Sequence, residues 1–187
     1  MWRRSNTRPL WRSLLDALIF AAVLVAVTVF LDRLGILDLG TGNATAKDGD
    51  SLVLNGTEVR LYGIDAPEYN QNCGSPEGEY PCGKRAASAL RELLRKRMIN
   101  CRMLDQDRYG RTVSVCRDGE IEFNREMVRQ GWAVAYVRHA FDYVKTQQEA
   151  KRDKRGLWRG SFEMPEDYRA RNRKVLGDTT QPAQQDD

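Results

Sequence analysis

Residues 47–68 read KDGDSLVLNGTEVRLYGIDAPE, and the reading of the whole chain turns on them. Ser51–Leu54 and Thr57–Tyr62 are rich in strand formers and flank Asn55-Gly56, a strong short signal for a β-hairpin. An acidic turn, Asp48-Gly49-Asp50, leads in, and an acidic corner, Asp65-Ala66-Pro67-Glu68, leads out. Arg60 sits on the second strand. Asp50, Asp65, Glu68 and Arg60 are therefore drawn toward one end of the hairpin.

Register decides how closely they meet. A two-residue loop at Asn55-Gly56 pairs residue i with 111 − i. Arg60 then faces Ser51, and Asp50 and Arg60 point to opposite faces. A three-residue loop, Leu54-Asn55-Gly56 with Gly56 left-handed, pairs i with 110 − i and sets Arg60 opposite Asp50. A site that uses both side chains favours that bulged turn, or a bulge near Gly49.

The residue types point to a hard cation beside a phosphate. Calcium prefers carboxylates, carbonyls and waters. Asp50 and Asp65 supply two carboxylates, and the carbonyl of Ala66 needs no particular side chain. Glu68, stiffened by Pro67, is a fixed carboxylate that can accept a proton from water. Attack on a phosphodiester builds negative charge on its equatorial oxygens, and Arg60 offers a planar, permanent cation for it. A second arginine is expected from Arg111, just after the turn Asp107-Arg108-Tyr109-Gly110. Each motif alone reads more readily as ordinary turn chemistry than as a site; their combination at this spacing reverses that.

The chain of 187 residues carries a net charge of +4, unevenly placed. Arg3, Arg4, Arg8 and Arg12 against Asp16 give residues 1–31 a charge of +3, while the rest holds 26 basic and 25 acidic side chains. Nucleic-acid binding would thus rest on local arginines, not bulk charge. His139 is the single histidine, which excludes mechanisms needing two. Cys73, Cys82, Cys101 and Cys116 form no CxxC pair, so a structural zinc site is not expected, and their even number suggests two disulfides. With a loop at Arg108-Tyr109, residue i faces 217 − i and Cys101 sits directly opposite Cys116. Cys73 and Cys82 would staple the turn-rich excursion YNQNCGSPEGEYPCG at 69–83.

Residues 1–12 read as an Arg-rich cytoplasmic N-terminus. Leu14–Leu31, LLDALIFAAVLVAVTVFL, holds one charge in 18 residues. As a helix it would run about 27 Å, just enough to cross a bilayer's hydrocarbon core. The flanking arginines orient it with the N-terminus inside. The reading is a single-pass transmembrane signal anchor at 13–31 in a bacterial inner membrane, a linker at 32–43, and a domain at 44–160 on the periplasmic, extracytoplasmic side. The rival is a cleaved signal peptide, which would release a secreted protein; Ala44-Thr45-Ala46 fits a cleavage site but lies far downstream.

Beyond the first hairpin, Lys84–Arg97 reads as an amphipathic helix with a solvated basic face. Met98–Leu104 and Thr112–Cys116 form a second hairpin. Asn124 can cap a short helix, REMVRQ, that stops at Gly131. Trp132–Val137 alternates as a strand, and Asp142–Arg155 reads as a polar helix ending at Gly156. Leu157 and Trp158 then pack back on the core. Residues 161–187 are a tail, basic to 178 and disordered at 179–187. Short strands broken by helices suggest a small barrel with helices packed on it, an α+β class.

From about Ala44 to Trp158 the chain resembles the staphylococcal nuclease (thermonuclease) family. DGDSL (48–52), VRLYGIDAPE (59–68), DRYGR (107–111), NREMVRQGWAVAY (124–136) and KRGLW (154–158) carry the resemblance. It implies an OB-fold-like five-stranded β-barrel with three helices, here preceded by the N-terminal transmembrane helix. It implies Ca²⁺-dependent endonuclease hydrolysis of DNA and RNA, single-stranded or frayed, leaving 3′-phosphate ends. Asp50 and Asp65 match the calcium carboxylates. Ala66 stands where the family has a threonine whose carbonyl binds calcium, and Ser51 replaces another threonine conservatively. Arg60 and Arg111 match the phosphate-binding arginines, Glu68 the glutamate assigned as general base, and Tyr109 and Tyr136 tyrosines near the nucleotide. The insert at 69–83 departs from the secreted prototype and could narrow the cleft. No protein partner is deducible, and a monomer is expected. The alternative is a non-catalytic OB-type module binding nucleic acid or protein at the cell envelope. Such modules often lose these side chains; here Asp50, Arg60, Asp65, Glu68 and Arg111 are all filled.

Overall fold

A computed structural model of the chain describes residues 10–33, 38–138 and 140–178. The first nine residues of the N-terminus, linker positions 34–37, His139 and the tail at 179–187 lie outside the described residues. The chain divides into two compact units, one up to Asp38 and one from Leu39.

The first unit holds helix α1, Leu10–Arg33, 24 residues long, over the expected 13–31 segment. Its large apolar side chains are exposed, among them Leu14, Leu18, Phe20 and Phe30. Among the described residues no helix is long and apolar enough to cross a membrane. The side chains described on α1 run from 14 to 30. The expected apolar run ends at Leu31, one residue beyond them.

In the second unit, strand β1 (Asp38–Gly42) and β2 (Ala44–Ala46) precede the hairpin of β3 (Ser51–Leu54) and β4 (Thr57–Leu61). Then come β5 (Ile64–Asp65), the small hairpin of β6 (Cys73–Ser75) and β7 (Gly78–Tyr80), and helix α2 (Cys82–Leu94). The long strands β8 (Ile99–Gln106) and β9 (Thr112–Asp118) lead to β10 (Ile121–Glu122), α3 (Phe123–Arg129) and β11 (Val134–Ala135). Helix α4 (Val144–Arg152), a 3₁₀ turn (Gly156–Arg159) and helix α5 (Pro165–Asp178) complete the chain. The main sheet runs β1-β8-β9-β4-β3-β2, with β10 on β9; β4 and β9 are parallel, and the β2–β3, β3–β4, β8–β9 and β9–β10 pairs are antiparallel. The fold is α+β and OB-like, but among the described residues this sheet has seven strands rather than five, and four helices rather than three follow β1. The ambiguous 161–178 segment supplies the fourth. The strand expected at 132–137 is paired only at Val134–Ala135, on β5.

Strand alternation builds the core. Leu52, Leu54, Val59 and Leu61 turn inward from the first hairpin, and Cys101 and Cys116 from the second. Ala86, Leu90 and Leu94 of α2 and Phe123, Met127 and Val128 of α3 close over them. Burying a side chain of this kind stabilises by about 1.5–3 kcal/mol. Both expected disulfides are present, Cys73–Cys82 and Cys101–Cys116. Cys73 and Cys82 seed a second cluster with Tyr80, Val134 and Leu157, against which Trp158 and Phe162 pack.

Two turns differ from expectation. Ser51 pairs with Arg60 and Leu54 with Thr57, so the first hairpin has the two-residue loop, not the bulged one. Asn55 and Gly56 both hold positive φ, 50° and 81°, the pattern of a type I′ turn that matches strand twist. In the second hairpin the 217 − i register holds from Asn100 to Met103, then shifts at Leu104, so Gln106 pairs with Thr112. Its turn is therefore Asp107–Arg111, closed by Asp107 N–H to the Arg111 carbonyl at 3.0 Å. Asn124 caps nothing. It is buried in α3, accepts from the Cys116 N–H at 3.1 Å, and donates to the carbonyls of Tyr62 at 2.9 Å and Ser114 at 3.1 Å.

Candidate active site

A bend, not strand register, brings Asp50 to Arg60. Residues 47–50 curl back on the start of β3: the Lys47 N–H donates to the Ser51 carbonyl, and the Asp48 carboxylate accepts from the Asp50 N–H at 3.0 Å. Gly49 makes this possible. A Cβ there would lie 2.7 Å from the Cβ atoms of both Ala66 and Ala86, so the bend presses against the acidic corner and α2 only because position 49 has no side chain. The bulge foreseen near Gly49 is thus a bend at the strand end.

Asp50 and Asp65 are buried, 4% and 1% exposed. Asp65 is fixed by the β5–β11 ladder, where it pairs with Val134. Asp50 reaches across the bend, and its Oδ2 accepts from the Ala66 N–H at 3.1 Å. Ala66 therefore orients a carboxylate through its N–H. Arg60 bridges the two acids: Nη2 lies 2.9 Å from Asp50 Oδ2 and 2.9 Å from Asp65 Oδ1. Burial, with Asp48 and Asp65 nearby, pushes the Asp50 carboxyl up to about 8 against the pull of Arg60. Burial also works against the charge of Arg60, but Asp50 and Asp65 outweigh it and raise its pKa.

Glu68 lies at the rim, its side chain 43% exposed. Its N–H donates to the buried Gln71 side chain at 3.2 Å, and its carbonyl accepts from the Gln71 N–H at 2.7 Å, so the corner is locked by a residue of the insert. The sequence reading did not single out Gln71, since nothing in a polar loop marks one amide for burial. Nor did it find Arg169 on α5. That guanidinium forks both oxygens of Asp65, at 3.0 and 2.8 Å, and reaches Glu68 at 2.9 Å. A partner 104 residues away leaves no local signature.

Arg111 is not in this cluster. It pairs with Asp107 of its own turn at 2.7 Å, and the exposed Tyr109 ring lies 5.6 Å from its guanidinium. It precedes β9, whose Val113 pairs with Arg60; two residues earlier on the alternation, Arg111 is placed on the same face. Tyr136 is partly buried, and its N–H donates to the Gly63 carbonyl at 2.9 Å, tying the end of β11 to the turn before Asp65.

Among the described residues no group of three or more His, Cys, Asp or Glu is arranged to hold a metal. The set that fits a divalent ion is smaller. Asp50 and Asp65 are hard oxygen donors held side by side, with the Ala66 backbone adjoining. Calcium, which completes its shell with carbonyls and water, suits that donor set.

An OB-like α+β domain with this arginine–carboxylate centre falls in the nuclease class of hydrolases. A model of the staphylococcal nuclease homologue family matches residues 58–160, more than half of the chain, and the protein belongs to that family. The match takes in Arg60, Asp65, Glu68 and Arg111; Asp50 precedes it and Arg169 follows it. The succinoglycan biosynthesis protein ExoI of Rhizobium meliloti (strain 1021) is 37% identical over 147 residues, 76% of each chain. An uncharacterized endonuclease of Haemophilus influenzae is 32% identical over 119 residues, 60% of this chain and 62% of that one. A probable endonuclease, LCL3, of Schizophyllum commune is 32% identical over 133 residues, 60% of this chain and 44% of that one. The chain thus spans only part of the length of these two endonucleases.

Proposed function

We propose that the protein is a calcium-dependent endonuclease that hydrolyses DNA and RNA phosphodiesters to 3′-phosphate ends, acting as a monomer on single-stranded or frayed substrate. The observation that carries it is Arg60 bridging two buried aspartates, 2.9 Å from each, beside the fixed corner of Glu68. Calcium bound at Asp50 and Asp65 would supply the positive centre that draws a phosphate and water together. Arg60 would turn from its aspartates to the phosphate oxygens, and Arg111 would add charge from the neighbouring strand end. Glu68 would accept the proton of the attacking water. Water oxygen bonds to phosphorus as its proton passes to Glu68, the bond to the 5′ oxygen breaks, and that oxygen takes a proton from solvent and leaves as a hydroxyl. Tyr109 and Tyr136 are suited to contact the nucleotide.

Tethering belongs to the same proposal. The apolar run from Leu14 to Leu31, which continues past the described side chains of α1, would anchor the chain in a bacterial inner membrane and leave the catalytic unit in the periplasm, where its two disulfides would form. The test is digestion of single-stranded DNA by the full-length chain, with calcium and with a chelator, beside Glu68→Gln and Arg60→Gln. Calcium-dependent cleavage with 3′-phosphate ends, reduced at least 100-fold in both variants, is the expected result. A folded, disulfide-bonded protein that binds DNA without cutting it would instead favour the binding-module alternative.

A further inference from the structure

We propose that helix α5 is an autoinhibitory strap: Arg169 holds the cation position at Asp65 and Glu68, and calcium must displace it. The inference rests on the calcium reading above. Asp65 has no free oxygen. Arg169 Nη1 and Nη2 take Oδ1 and Oδ2 at 3.0 and 2.8 Å, and Arg60 shares Oδ1 at 2.9 Å. Calcium needs a carboxylate oxygen at about 2.3–2.6 Å. With Asp65 buried, ion and fork compete for the same two oxygens. Arg169 also engages Glu68 at 2.9 Å, so while the strap is down the proton acceptor is held in an ion pair.

The strap has a fixed root and a loosely held tip. At the root, the Gly74 N–H donates to the Ser161 carbonyl at 2.8 Å, and the buried Gln71 amide donates to the Glu163 carbonyl at 2.7 Å. Gly160 packs so closely that a Cβ would meet the Gly74 carbonyl oxygen at 2.0 Å, and Phe162 stacks edge-on against Trp158 at 5.0 Å. The root is thus clamped to the insert that Cys73–Cys82 staples. Beyond Glu163 the character changes. Among the described side chains of α5 only Pro165 is buried. Its attachments to the rest of the unit include Arg138–Glu166 at 3.2 Å, with the arginine exposed, and the Arg169 fork. A tip held by charge yields to a divalent cation while the root stays docked. This also gives the insert a role: it is the platform that delivers Arg169.

The test is calorimetric titration of the full-length chain with calcium chloride, comparing wild type, Arg169→Ala and Asp65→Asn, with hydrogen exchange of wild-type α5 read with and without calcium. Arg169→Ala should bind calcium at least tenfold more tightly, Asp65→Asn should lose binding, and amides 166–170 should exchange faster when calcium is present. Equal or weaker binding by Arg169→Ala, or unchanged α5 exchange in calcium-bound wild type, overturns the strap and leaves the calcium site standing. No calcium binding by wild type or Arg169→Ala overturns both. The exchange experiment needs no variant, so a misfolded Arg169→Ala would not rescue the idea.

Discussion

Asn124 ties β9 to the turn after β4, and replacing it with alanine should be among the most damaging single changes in the domain. Its amide accepts from Cys116 N–H and donates to two backbone carbonyls. Cys101 and Cys116 face each other with Cα atoms 4.1 Å apart, the close spacing of a pair that does not exchange ladder hydrogen bonds. The Cys116 N–H therefore turns away from β8, toward Asn124. In Asn124→Ala it is stranded in the core at a cost of about 1–3 kcal/mol. The Ser114 carbonyl keeps the Tyr62 N–H at 2.8 Å, so its loss is nearer the net value of one bond, about 1 kcal/mol, as is that of the Tyr62 carbonyl. The sum is about 3–5 kcal/mol, a large part of the roughly 5–15 kcal/mol that holds a domain folded. Urea unfolding of the full-length chain in non-ionic detergent, followed by tryptophan fluorescence with disulfides intact, reads it directly. Asn124→Asp is the control. It keeps the acceptor for Cys116 but aims a carboxylate at two carbonyls. Its loss should match or exceed that of alanine at neutral pH and shrink as falling pH protonates the acid. A loss below about 1 kcal/mol in Asn124→Ala, or an aspartate variant indifferent to pH, would refute the argument.

Two further outcomes separate structure from chemistry. Arg111 is ion-paired within its own partly exposed turn, so Arg111→Ala should change unfolding free energy by less than about 1 kcal/mol while cleavage of single-stranded DNA falls about 100-fold; parallel losses in both would place Arg111 in the scaffold instead. Asp50 titrates upward on folding, from 3.8 to about 8. Its contribution to stability is then complete below about pH 4 and is lost as pH rises toward 8. The metal-free protein should lose stability from pH 5 to 8 more steeply than Asp50→Asn, and equal slopes in urea titrations would count against the buried placement of that carboxyl.

What was legible in the sequence was local. Asn55-Gly56 specified a two-residue turn, and the structure has it; the bulged loop was favoured only because Arg60 and Asp50 had to meet. They meet through a bend whose cause, the tight contact of Gly49 with Ala66 and Ala86, joins residues 17 and 37 positions apart. Cys101 and Cys116 were paired correctly by a register that fails three residues later, because the bulge at Leu104 lies between the cysteines and the turn. Asn124 looked like a helix cap because Asn favours that place, yet burial turned its side chain inward. Gln71 and Arg169 were invisible for the same reason: each acts through a partner supplied by a distant segment.

The two missed residues are parts of one arrangement. Gln71 sits between the corner and the tail, with its side chain accepting from the Glu68 N–H and donating to the Glu163 carbonyl. Six residues past Glu163, Arg169 returns to Glu68 and Asp65. Glu68 is thus held by both the insert and α5, and Asp65 by α5. The family match ends at residue 160, so Arg169 lies beyond its matched span. Loosening the insert should therefore release Arg169 as surely as removing the guanidinium, which ties the Cys73–Cys82 staple to the ion pair of Arg169 with Asp65, 104 positions apart.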